Sequence, residues 1–185
     1  MKISVRSAVY AAAQTLGIAD GVEKYLNGEE TEKGKRDAEL LLQCFHHVEN
    51  ALAMDYFPLI EEEEFDTSTG VLEYIDFGYP AIRVFSVVDE KGENLQFKLF
   101  LNRLETKVGR IKVKYSYAPE EKDMDSDSDY EMRFKRIFVY GMAAEYSLVE
   151  GELEAANAWD KKYKAGIAAM YQPPQGKRMK ERRWM

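Results

Sequence analysis

Apolar positions change period twice along this chain: helical spacing up to about residue 57, strict alternation through much of 60–117, and helical spacing again from 130 to 171. Val5, Ala8, Val9, Ala12 and Leu16 recur on one helical face and stop at Gly17, which predicts a short amphipathic helix over 4–16. A second short helix is expected over 20–26, ending at Asn27 and Gly28. The pattern restarts at Thr31, where Ala38, Leu41, Phe45, Val48 and Leu52 are spaced 3, 4, 3 and 4 apart, so a third helix should run to about Met54. Pro58 then stops it and biases Phe57 to an extended conformation.

In the middle, Leu95, Phe97, Leu99 and Leu101 alternate with Gln96 and Lys98, and Ile111, Val113, Tyr115 and Tyr117 alternate with Arg110, Lys112, Lys114 and Ser116. Such alternation is that of half-buried strands. The runs 71–75 and 81–88 add further β-rich segments, and turn residues punctuate the region at 67–70, 78–80, 89–92 and 107–109. A small antiparallel sheet of about four to six strands is expected.

The stretch 130–149, YEMRFKRIFVYGMAAEYSLV, reads as the long central helix. Phe134, Ile137, Phe138, Gly141, Ala144 and Leu148 share one face, and Val139, Tyr140, Ala143, Tyr146 and Val149 cover much of the other. A helix apolar on both sides needs cover on both sides, from this chain or from another subunit. The first face is therefore the candidate surface for packing between helices or between subunits. After Gly151 a last helix over 152–171 carries Ala156, Trp159, Tyr163, Ile167 and Met170 on one side, and the short connection makes it fold back antiparallel. The expected fold class is α+β: a helical bundle built from 1–57 and 130–171, with a β insertion over 60–117. An acidic loop over 120–129 and a basic tail over 175–185 complete a single domain of 185 residues.

Charge narrows the function. A formal net charge of -7 argues against a protein that coats nucleic acid over its whole surface. Cys44 is the single cysteine, so no intrachain disulfide forms, and the apolar runs fall well short of the roughly 20 residues of a spanning helix. No export signal is expected at the N-terminus.

Candidate chemistry is sparse. Cys44, His46 and His47 lie close together, but neighbours on a helix project about 100° apart and cannot all turn toward one ion. The alternating aspartates of 125–129 resemble the start of a calcium loop without its glycine or its closing glutamate. There is no GxSxG, no glycine-rich phosphate loop and no HExxH, so neither an enzyme nor a cofactor is expected. The acidic runs 61–66 and 123–129 read as solvated faces, and the second also suits the positive N-terminal end of the central helix. The tail differs from the rest of the chain: Lys177, Arg178, Lys180, Arg182 and Arg183, with Trp184 beside them, form a basic segment with an aromatic anchor. Following Pro173 and Pro174, it reads as a partner-docking strap.

Four pieces in order, ELLLQCFHHVENALAMDYFPL (39–59), GRIKVKYSYAPEE (109–121), GMAAEYSLVEGELEAANAWDKKYKAGI (141–167) and the terminal RRW, resemble the neck proteins of tailed bacteriophages. The chain looks like a head-tail connector or adaptor. It departs from the leanest, almost wholly helical connectors by its β portion over 60–117. The resemblance implies a structural virion protein, assembled in the host cytoplasm and residing in the neck. It also implies a homo-oligomeric ring, commonly a dodecamer, below the portal protein and against an adjacent neck or tail protein. DNA would pass through the ring without sequence-specific binding. A stopper or tail-joining protein shares many of these features, and a monomeric acidic α+β module that binds or regulates another protein is the contrasting reading.

Overall fold

The computed structural model describes residues 1–29 and 31–171. In chain order its elements are β1 (Lys2–Ser4), α1 (Val5–Leu16), α2 (Ala19–Leu26), α3 (Glu32–Ala51), β2 (Leu59–Thr67), β3 (Val71–Glu73), β4 (Ala81–Asp89), β5 (Lys98–Leu99), β6 (Arg103–Glu105), β7 (Gly109–Tyr117), β8 (Asp127–Glu131), α4 (Lys135–Val149) and α5 (Leu153–Met170). The chain is an α+β fold. Among the described residues no helix is long and apolar enough to cross a membrane.

Local chemistry sets the helix ends. The Ser4 hydroxyl accepts the Ser7 amide at 3.4 Å to start α1, and Gly17 ends the helix in the left-handed region at φ 74°. Thr31 caps α3 in the same way, accepting the Gly34 amide at 3.2 Å. After Ala51, α3 loosens into a π-helical turn, Leu52–Tyr56, before Pro58 stops it. The helices close over one core in which Phe45 of α3 stacks on Phe138 of α4 with centroids 4.9 Å apart. Asp37 of α3, almost wholly buried, accepts the Tyr146 hydroxyl of α4 at 3.0 Å. Helix α5 returns antiparallel along α4: Trp159 stacks near Tyr140, and Gly166 lies against Ile137.

Two expectations fail at the entrance to α4. Residues 130 and 131 are strand, and Met132–Phe134 form a 3-10 turn in place of the first α-helical turn. Of the segment expected as an acidic loop, 120–126 stays loop and turn, but 127–129 enters β8, which pairs antiparallel with β1 in the register Lys2↔Glu131 and Ser4↔Asp127. Its Ser128 and Tyr130 point into the core while Asp127, Asp129 and Glu131 point away, a period of two rather than 3.6. The acidic segment therefore serves the start of α1 and not of α4. The Val5 and Arg6 amides, left without intrahelical partners, donate to the Ser126 and Met124 carbonyls, each at 3.1 Å. The first turn of α4 holds no acidic residue.

The insertion folds as two three-stranded antiparallel sheets, β2-β7-β4 and β3-β6-β5, in place of the single sheet expected. A 3-10 turn over Tyr74–Asp76 cuts β3 to three residues, so it cannot continue into the larger sheet. The alternating stretch 95–101 supplies only the two-residue β5. Leu95 and Phe97 pack on the β core, but Leu101 sits at the tip of a tight turn, 99% exposed, where the Phe100 amide bonds the Arg103 carbonyl at 2.9 Å. The run of glutamates from Glu61 to Glu64 is β2 itself. Glu62 and Glu64 lie opposite Lys114 and Lys112 on the outer face, with Glu62 paired to Lys114 at 2.9 Å. On the inner face Glu63 accepts the Tyr115 hydroxyl at 2.6 Å. The sheets close over a second core around Tyr115, Val113, Leu104 and Val87, separate from that of the helices.

Candidate functional site

Few groups with chemical potential are brought together. Cys44 is buried, and burial pushes its thiol up to about 12. His46 is engaged by the backbone of Lys122, its Nε2 lying 2.7 Å from the carbonyl oxygen. Among the described residues no three His, Cys, Asp or Glu side chains converge as a metal site. In 123–129, Asp123 accepts the Ser126 hydroxyl, Asp125 pairs with Arg6 at 3.3 Å, and Asp129 pairs with Lys122 at 3.1 Å. The two acidic runs are thus partly compensated by nearby cations, at Glu62 and Glu64 in the first and at Asp125 and Asp129 in the second.

A buried polar cluster forms a clasp between α3 and β8. Glu49, 1% exposed, accepts the Ser128 hydroxyl and the Asp129 amide. Burial raises its carboxyl above the ordinary range, outweighing these two donors, which pull the other way. The folded chain then holds this proton more tightly than the unfolded one. The stabilisation is complete below the ordinary carboxyl pKa and is lost as pH rises through the raised value. Glu49→Gln keeps an acceptor oxygen without the charge, so its melting temperature should fall less than that of the native chain between about pH 4 and pH 8. Identical slopes in thermal melts would show that folding does not tighten the hold of Glu49 on its proton.

The α4–α5 hairpin carries the surface features. Of the six residues expected to form its packing face, Phe134, Ile137, Phe138 and Gly141 are buried, Ala144 is half-buried, and Leu148 is 53% exposed. A Cβ on Gly141 would come within 2.7 Å of Val48 Cγ2 and 3.0 Å of the Tyr163 ring, so at this glycine α3 and α5 both press closely on α4. Leu148 stays outside because α4 rotates Met142, Tyr146 and Ser147 inward at its C-terminal end. With Val149 and Leu153, both more than 60% exposed, it forms an apolar knob at the turn of the hairpin. Glu152 and Glu154 flank the knob, and Glu150 at its base pairs with Arg36 of α3.

Farther along the hairpin, α4 and α5 leave a groove of about 440 Å³. Its floor is Ile137, Gly166 and Ala169, and its rim is Arg136, Tyr140 and Lys162. Arg136 donates to the Tyr140 hydroxyl at 2.8 Å, and Lys162 sits 3.9 Å above the Trp159 ring, which is stacked near Tyr140. Sequence reading placed Trp159 on the inward face and passed over Arg136 and Lys162. The i, i+4 pair Arg136 and Tyr140 and the i, i+3 pair Trp159 and Lys162 were the available signal. The tail residues Lys177, Arg178, Lys180, Arg182, Arg183 and Trp184 lie outside the described residues.

No protein-family model matches this chain, and no curated protein matches it.

Proposed function

We propose that this protein is a structural component of a tailed-phage neck, a head-tail adaptor that assembles as a homo-oligomeric ring below the portal. The ring passes DNA without reading its sequence, and the chain carries out no catalysis. The observation that supports this reading most directly is the apolar surface left uncovered on both parts of the fold. The hairpin presents Leu148, Val149 and Leu153, and the β insertion presents Ile75, Leu99 and Leu101, the last almost fully exposed. Isolated chains gain nothing from such clusters, whereas an assembly protein needs one surface for its sister subunits and one for the next component of the neck.

Within this reading the tail over 175–185 docks on the portal, its five basic residues pairing with acidic groups and Trp184 burying an aromatic surface. Net negative charge on every subunit disfavours adhesion of passing DNA to the wall of the bore.

Mass in solution and on particles tests the proposal. Light scattering of the purified chain over rising concentration should give a defined multiple of 21.4 kDa, and the chain should co-sediment with portal-bearing capsids. Removal of 175–185 should weaken the second without lowering the melting temperature. A species of 21.4 kDa at every concentration that also ignores capsids overturns the adaptor reading in favour of a monomeric binding module.

A further inference from the structure

The knob and the groove on the α4–α5 hairpin are complementary in both polarity and charge. The knob is aliphatic, and its flanking Glu152 and Glu154 are in no ion pair among the described residues. The groove has an aliphatic floor and a basic rim, where Arg136 and Lys162 are likewise in no ion pair among the described residues. In a chain of net charge -7 this local positive surface selects for an acidic occupant. The chain's own tail, carrying five basic residues against Glu181, has the same sign as the rim and is disfavoured there.

The two patches cannot meet within one copy. Ile137 and Leu148 are separated along α4 by about 16 Å at the helical rise per residue, and both belong to the same packed hairpin. They can meet only between copies, and because they are different patches the contact is heterologous: each copy offers a knob to one neighbour and a groove to the other. Such a contact propagates and closes into a ring when the rotation between copies allows.

We infer that the knob of Leu148, Val149 and Leu153 from one copy seats in the groove of Arg136, Tyr140 and Lys162 of the next, making the α4–α5 hairpin the subunit interface. The inference rests on the proposed homo-oligomer and names the surface through which it forms. Aliphatic side chains fill the groove between the small residues Gly166 and Ala169, while Glu152 and Glu154 face the basic rim. Charge sets the head-to-tail direction, and apolar burial supplies most of the adhesion.

Charge reversal on the full chain tests it, since all four charged residues are exposed and outside both cores. The variant R136E/K162E has an acidic groove and an acidic knob; E152K/E154K has a basic groove and a basic knob. Each alone should remain at 21.4 kDa where the native chain assembles, and an equimolar mixture should regain the native mass because every knob again meets a groove of opposite sign. A second measurement works even for weak association. The chain L153C/A169C, whose native thiol Cys44 is buried, should give a ladder of covalent multimers on mild oxidation, whereas L153C and A169C alone should give none.

If the native chain assembles but neither reversal reduces its mass and no ladder forms, this interface is wrong while the ring reading stands. A monomeric native chain without a ladder overturns both. A ladder from a chain that is monomeric at low concentration supports the interface. Retention of a short DNA duplex that R136E/K162E abolishes, with assembly unaffected, assigns the groove to phosphate and overturns the proposal.

Discussion

Phe138→Ala should destabilise the chain by about 3–5 kcal/mol, a large part of the total stability of a domain this size. Phe138 is fully buried, stacked 4.9 Å from Phe45 and tilted against Tyr130 at 5.7 Å, so it ties α4 simultaneously to α3 and to β8. Removing the ring leaves a cavity lined by residues of three elements, none of which can collapse without moving the others. Denaturant titration should show the midpoint falling with little change in slope. Leu148→Ala, on the same helix and equally apolar, should shift stability by no more than about 0.5 kcal/mol, because its side chain is half in water. A small effect at Phe138, or a large one at Leu148 in the isolated chain, would contradict the orientation of α4 described above.

Gly34→Ala should lower stability by about 1–3 kcal/mol or more, although in an open helix the same change gains up to about 1 kcal/mol. The position lies in the first turn of α3, where propensity alone favours alanine. The added Cβ, however, would fall on the carbonyl oxygen of Gly21 in α2, 2.8 Å from its carbon and 2.5 Å from the Thr31 Oγ1 that caps the helix. Backbone cannot rotate aside as a side-chain tip can, so α2 must back away from α3 or the cap must break. Thermal melts followed by helical circular dichroism measure the cost. An alanine variant as stable as the native chain would mean that α2 is free to shift.

Helices α1, α2, α3 and α5 and the strands β4 and β7 were legible because each buries one face against a core, and one-sided burial imposes its period on the residues. Leu41, Phe45 and Val48, or Ile111, Val113 and Tyr115, satisfy that condition without reference to any partner. The class of fold followed from the order of those periods. The glutamate run of β2 did not announce a strand, because Glu62 and Glu64 become acceptable there only opposite Lys114 and Lys112, some fifty residues away in sequence. Nor did 127–131: Ser128 is buried only because Glu49 accepts its hydroxyl, and the strand exists only because Lys2–Ser4 offers an edge. The knob and groove belong to the same group. Leu148 and Ile137 are both large aliphatic residues within about 20° of the same helical phase, and the sequence by itself determined that α4 has more apolar surface than one neighbour can cover. Which of those residues reached the core was decided by the crossing of α3 and α5 at Gly141, because close packing is a property of three helices at once and not of any one of them.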